Sequence, residues 1–260
     1  MSDTQLVGIV NVTPDSFSDG GAHFDAPAAI QAIERLIADG ADVIDIGAES
    51  TRPGATPISP EEEWQRLAPV LAALRQFSDM RFSLDTRHAD TARRALEAGV
   101  HWINDVTGFS HAVMVDAVRS SDCRLVIMHS LCIPADKAIV MPESADIVTE
   151  LLAFAHKRID TLYGYGIKKG RIVFDPGIGF GKTAAQSLDI LRRIGEFSVL
   201  GVPLVIGHSR KSFLSSFGDR DAATLAVSQS LAQRGVDFLR VHDVARHRQM
   251  LNLVKALTYG

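Results

Sequence analysis

The chain has 260 residues and a formal net charge of −4, with 46% hydrophobic and 22% charged residues. That composition is ordinary for a globular protein of a size that buries a large core without staples. The mild acidity and the lack of any run of like charge argue against nucleic acid or a membrane surface as the main partner, and an anionic small molecule would need a local cationic pocket.

The two cysteines, Cys123 and Cys132, have no CxxC spacing, so neither a disulfide scaffold nor a zinc site is supported. No apolar run approaches the roughly 18 residues of a membrane span. The start, Met1-Ser2-Asp3-Thr4, lacks the basic and apolar regions of a signal peptide. A cytoplasmic protein is the default expectation.

Along the chain, short β-branched runs alternate with longer amphipathic segments. The strand candidates are Leu6–Val12, Val43–Glu49, Phe82–Thr86, Trp102–Val106, Arg124–His129, Ile172–Asp175, Pro203–Gly207 and Phe238–His242. Helical patterns lie between them at Pro27–Ala38, Pro60–Phe77, Ala89–Ala98, Ala145–Tyr165, Ala185–Ile194, Asp221–Arg234 and Val244–Thr258, with a weaker one at His111–Ser120. The strand runs are near-continuously apolar, as for a parallel sheet covered by helices. This order predicts an α/β chain forming one (β/α)8 barrel in a single domain. A doubly wound open sheet is the second architecture. It would want a Gly-rich turn after the first strand, where Asn11-Val12-Thr13-Pro14-Asp15 stands instead.

Polar residues end nearly every strand candidate: Asn11, Glu49, Asp85, Asn104 with Asp105, His129, Asp175, Ser209 to Lys211, and Arg240 with His242. A lone Asp there is more often a helix cap than a catalyst. In a barrel, however, all these ends converge on the face that carries active sites. Arg240, His242, Lys211 and Arg52 would supply cationic donors where barrels commonly hold phosphate. Asn11 offers a hard amide oxygen suited to Mg2+. Asp85, Asn104 and Asp175 offer acceptors for a planar heterocycle with a donor edge. The run Pro176-Gly177-Ile178-Gly179-Phe180-Gly181-Lys182-Thr183 fails the Walker pattern, because Pro176 stands where glycine is required. It reads instead as a Gly-rich loop shaping a pocket.

The segments GIVNVTPDSFSDGG (8–21), GADVIDIGAESTRPGA (40–55), SLDT (83–86), INDVTG (103–108), FDPGIGFGKT (174–183), GHSRKSFL (207–214) and RVHDV (240–244) together resemble the dihydropteroate synthases, in family order and across nearly the whole chain. The resemblance implies condensation of a pterin pyrophosphate with p-aminobenzoate, with Mg2+ and release of pyrophosphate, in a homodimer. By position it implies Asn11 as the Mg2+ and pyrophosphate residue, with Arg240 and His242 completing the diphosphate pocket. Asp85, Asn104, Met128, Asp175 and Lys211 would line the pterin. Thr51 and Arg52 would lie on one mobile loop and Thr13 to Asp19 on another. Pro14, Phe180, Lys211 and Ser212 would surround the p-aminobenzoate, where sulfonamides would compete. Asp85, Lys211, Arg240 and His242 are the implied catalytic set. Ala48 departs from a common glycine, and Ser130 to Ser144 departs from the family pattern, so the fifth loop is expected to be built differently. The alternatives are a pterin-binding methyltransferase on the same barrel and a non-catalytic pterin-binding paralogue.

Overall fold

The computed structural model describes residues 4–13, 26–51 and 54–259. Eight parallel strands alternate with helices: β1 Gln5–Asn11, β2 Val43–Gly47, β3 Arg81–Asp85, β4 Trp102–Asp105, β5 Arg124–Met128, β6 Ile172–Asp175, β7 Val205–Ile206 and β8 Phe238–Val241. The helices among the described residues are α1 Ala26–Ala38, α2 Pro60–Ala73, α3 Ala89–Glu97, α4 Ala112–Val118, α5 Ile147–Gly164, α6 Ala184–Arg192, α7 Arg220–Gln233 and α8 Val244–Tyr259. None of the described helices is long and apolar enough to cross a membrane.

The ladder runs β6-β5-β4-β3-β2-β1-β8-β7. A bridge between Phe174 and Leu204, with Phe174 N donating to Pro203 O at 2.9 Å, brings its two ends together as a barrel. The seventh strand is therefore shorter than the apolar run Pro203–Gly207 implied, and Leu204 serves the closure. The second ends at Gly47, two residues before Glu49, because Glu49 turns to an arginine outside the ladder.

The helix starts follow capping chemistry. Ser59 Oγ accepts from Glu62 N with Pro60 behind it, Asp146 accepts from Thr149 N, and Asp219 accepts from Asp221 N. Thr183 and Gln186 form a reciprocal capping box that launches α6 directly from the Gly-rich loop.

The strands look continuously apolar because both of their faces are buried. Leu6, Ile44, Phe82, Ile103, Leu125, Ile172, Ile206 and Leu239 face the helices and join the large outer core. Val7, Val43, Trp102, Val126, Val173, Val205 and Phe238 form a second cluster inside the barrel. There Trp102 meets Phe238 edge-on at 4.9 Å between centroids. This apolar plug fills the barrel, so the residues two steps further along each strand become the floor of whatever lies above. With a side-chain period of two, those residues point inward as well.

Candidate active site

Two steps beyond the plug the inward positions turn polar. Register places Asp45 beside Ile9, Asp85 beside Gly47 and Asn104, and Met128 beside Asp175. Arg240, on β8, spans this layer. Its Nε donates to Asp45 Oδ2 at 2.6 Å and its Nη2 to Asp85 Oδ2 at 3.1 Å. Gly47 lies against this pair: a Cβ there would stand 3.3 Å from Asp85 Cβ, close enough that Asp85 would have to give slightly.

Asp45 is 1% exposed, and its Oδ1 has no hydrogen-bond partner among the described residues. The same holds for Oδ1 of buried Asn104, whose Nδ2 lies 3.4 Å from Asp45 Oδ2. Two orphaned acceptors in one buried layer are costly unless a ligand or a buried water supplies donors. Asp175, at the end of β6, uses Oδ1 to accept Gly177 N at 2.7 Å.

The electrostatics follow from burial and neighbours. Burial raises Asp85 to about 7, helped by Asp45, Glu63 and Asp105 and opposed by Arg240. Burial works against the charge of Arg240, but Asp45 and Asp85 hold it above its ordinary range. Asp175 is raised by burial, against the pull of Gly177 N, Lys211, Arg240 and Lys182. The layer thus sets a fixed cation beside Asp85 and Asp175, two carboxyls that burial pushes toward the protonated form.

Around the rim, Asn11 is the half-buried last residue of β1. His242 Nδ1 lies 2.9 Å from Ser209 Oγ, which fixes the imidazole between the ends of β7 and β8. Lys211 Nζ stands 4.1 Å from the ring centroid of half-buried Phe180, a cation–π contact joining two loops. Ser212 is exposed at the start of a 3-10 helix, Ser212–Phe217. Thr51 O accepts Ala135 N at 3.1 Å, linking the loop after β2 to the fifth loop. Pro14 and Arg52, and most of the first loop, lie outside the described residues.

Three of the strand-end residues are engaged by the loops of the rim. Asp105 accepts from Thr107 N, Thr107 Oγ1 and Phe109 N, which is a loop cap. Glu49 accepts both a bidentate pair from Arg87, at 2.7 and 2.8 Å, and Ile58 N. The opposing effects of burial and of these donors leave it below its usual range. His129 is held under the Gly-rich loop by Lys182 at 2.9 Å.

Among the described residues, one group of His and acidic side chains has metal-ligand separations: Glu49, Glu63 and His88. Arg87 occupies Glu49, while Thr86 and His88 share Oε2 of Glu63, so the group is a hydrogen-bonded network anchored by the Arg87–Glu49 ion pair. Two surface hollows of about 260 and 410 Å3 lie between α2 and α3 around Trp64 and Arg94, away from this layer.

A family model described as "Pterin binding enzyme" matches residues 7–242. A dihydropteroate synthase of Synechocystis is 38% identical, over 98% of this chain and 90% of its own length. The chain belongs to the pterin-binding enzyme family, among the dihydropteroate synthases. The crystal structure of the Xanthomonas albilineans dihydropteroate synthase with 4-aminobenzoic acid superposes with a TM-score of 0.92 at 38% identity, covering 100% of this chain and 94% of that one. The folate synthesis bifunctional protein of Chlamydia caviae is 40% identical over 96% of this chain, which spans 58% of that protein's length. Family membership and the barrel are therefore as the sequence motifs implied.

Sequence reasoning missed Asp45, although a lone acid inside the apolar run Val43-Ile44-Asp45-Ile46 is its signal. It also passed over Lys182 as a partner of His129, which only the three-dimensional path of the loop reveals.

Proposed function

We propose that the chain condenses 6-hydroxymethyl-7,8-dihydropterin pyrophosphate with p-aminobenzoate to 7,8-dihydropteroate, releasing pyrophosphate, in folate biosynthesis. The observation that carries this reading is the buried layer of Asp45, Asp85, Asn104 and Arg240 with its two unpartnered acceptor oxygens. A pterin presents an amino and N–H donor edge that such acceptors satisfy. The 4-aminobenzoic acid bound by the Xanthomonas relative supports the second substrate.

The reaction breaks the C–O bond at the pterin CH2 and forms an N–C bond to the arylamine, which then sheds a proton to solvent. An arylamine is neutral near pH 7, so no base is needed before attack, and the path is SN1-like. Asp85, when ionised, stabilises positive charge on the CH2-pterin fragment, and His242 and Arg240 offset the charge on the departing oxygen. Arg240 also fixes Asp85 in place, because one guanidinium bonds both carboxylates. Asp175, Asn104 and Met128 frame the heterocycle. Phe180 and Lys211 form a wall of the arylamine subsite, with Ser212 beside it; the family resemblance assigns Pro14 to the same subsite and Thr51 and Arg52 to a substrate-binding loop.

Mg2+ fits the donor chemistry at one point: Asn11 gives a single hard oxygen at the rim, and such an ion takes its remaining ligands from diphosphate and water. When bound, it would neutralise charge on the leaving diphosphate. We further propose a homodimer and a cytoplasmic location, which sedimentation and cell fractionation test.

The direct experiment incubates the protein with pterin pyrophosphate, p-aminobenzoate and Mg2+ and follows dihydropteroate and pyrophosphate. Methyl transfer from methyltetrahydrofolate in their place, or pterin binding with no product, would overturn the proposal.

A further inference from the structure

Lys182 is 6% exposed, a rare condition for lysine, and the proposed reaction gives it no part. It lies beneath the Gly-rich loop that connects β6 to α6. Its Nζ is 2.9 Å from His129 Nδ1 and donates to the carbonyl of Phe180 at 2.8 Å and of His129 at 3.4 Å. Three acceptors match the three N–H bonds of an ammonium.

The loop above is fitted closely around this point. A Cβ on Gly177 would fall 2.0 Å from His129 O, and one on Gly181 would fall 2.5 Å from Leu131 Cγ. Gly181 O accepts Met141 N at 2.9 Å, which ties the loop to the fifth loop as well. Between the two tight glycines stands Phe180, whose carbonyl is held from below by Lys182 and whose ring lies under Lys211.

We infer that Lys182 is a positioning residue for the arylamine: through its bond to the Phe180 carbonyl it sets the height and tilt of the ring that walls the subsite. The inference rests on the proposed function for the identity of that subsite. Two routes from Lys182 to substrate are conceivable by charge and contact. One runs through Phe180 to the arylamine. The other runs through the field of Lys182 on Asp175, at the pterin, and predicts a different kinetic signature. The geometry favours the first, because Lys182 bonds Phe180 directly.

The test is steady-state kinetics on Lys182→Met, which keeps the stem and its packing but removes the donors, with Lys182→Gln as a second variant that retains a shorter donor. Loss of the bond to the Phe180 carbonyl, among the three that Nζ makes, predicts a KM for p-aminobenzoate raised about tenfold or more in the Met variant. The KM for pterin pyrophosphate should stay within about twofold, and the Gln variant should recover part of the loss. In a Phe180→Ala background, Lys182→Met should add no further increase, because both changes act on one ring. Three results would each overturn the inference: an unchanged arylamine KM, an equal rise in both KM values, or full additivity with Phe180→Ala. Should the Met variant fail to fold, the Gln variant alone carries the same comparison of the two KM values. A wild type that makes no dihydropteroate strikes the proposed function; an active wild type with variants lacking the split strikes this inference alone.

Discussion

Arg240 Nε and Asp45 Oδ2 lie 2.6 Å apart at the floor of the barrel mouth, where Asp45 is 1% exposed. The pair ties β8 to β2 across β1, and the second arm of the guanidinium reaches Asp85 on β3. One side chain therefore ties the fold together and, in the proposed reaction, also serves the chemistry. Arg240→Ala leaves a buried carboxylate with its cation removed, and should lower unfolding free energy by about 3 kcal/mol. It should also cut kcat by about 10²–10³. Asp85→Asn keeps a neutral acceptor for Arg240, and should lose a similar factor in kcat with little change in stability. Urea unfolding and turnover measured on both variants separate the two effects. Equal stability losses in the two would contradict the assignment of Asp45 as the structural partner.

The pH profile follows from Asp85. Its carboxyl is raised to about 7, by burial first and then by Asp45, Glu63 and Asp105. In the proposed reaction the ionised form supports charge on the CH2-pterin fragment, so kcat/KM for pterin pyrophosphate should climb as pH rises through about 7. The stability contribution has the opposite sign. A raised carboxyl favours the fold while protonated, fully so below its ordinary range, and that contribution is lost as pH rises through about 7. A kcat/KM that is flat between pH 6 and 8 would rule out the ionisation of Asp85 as the controlling event.

His208 titrates in the reverse sense. It is fully buried, with Nε2 2.8 Å from Ser228 Oγ, and burial pushes it down to about 4. The folded chain holds the imidazole neutral while the unfolded chain protonates it near its usual value. Its contribution is therefore complete above the usual histidine range and is lost as pH falls through about 4. In His208→Gln, the drop in unfolding free energy between pH 7 and 5 should shrink by about 2 kcal/mol. An identical pH dependence in wild type and variant would show that His208 is not held neutral.

Much of this was written in the strand ends. A barrel gathers them on one rim, so Asp85, Asn104, Asp175, Arg240 and His242 could be read from periodicity and order alone, before any contact was known. What could not be read is which strand-end residue turns inward. Asp105 follows Asn104 by one position, and that single step sends it to the opposite face, where it caps its own loop. Glu49 lies two positions beyond the last ladder residue, where the alternation no longer constrains it, and Arg87 captures it. Asp45 was hidden for a different reason. It lies not at the end of β2 but two residues earlier, where the polar layer begins immediately above the plug of Val43, Trp102 and Phe238.

The Gly-rich loop offers a prediction in which two glycines of like backbone conformation should behave differently. Gly177 and Gly235 both have positive φ, +67 and +77. Either replacement by Ala meets the left-handed strain of an L-residue, about 1–2 kcal/mol. At Gly235 nothing lies within 4 Å of the added methyl, so strain should be the whole cost. At Gly177 the methyl would stand 2.0 Å from the His129 carbonyl, a backbone atom with no rotamer to escape into. The loop must lift, which breaks the bond from Gly177 N to Asp175 and disturbs the seat of Lys182. Gly177→Ala should therefore cost at least about 3 kcal/mol. It should also weaken the proposed pterin contact at Asp175 and the proposed arylamine wall at Phe180. Urea midpoints and the two KM values, measured side by side for the pair of variants, decide the matter: if Gly177→Ala is no worse than Gly235→Ala, the loop does not rest on His129.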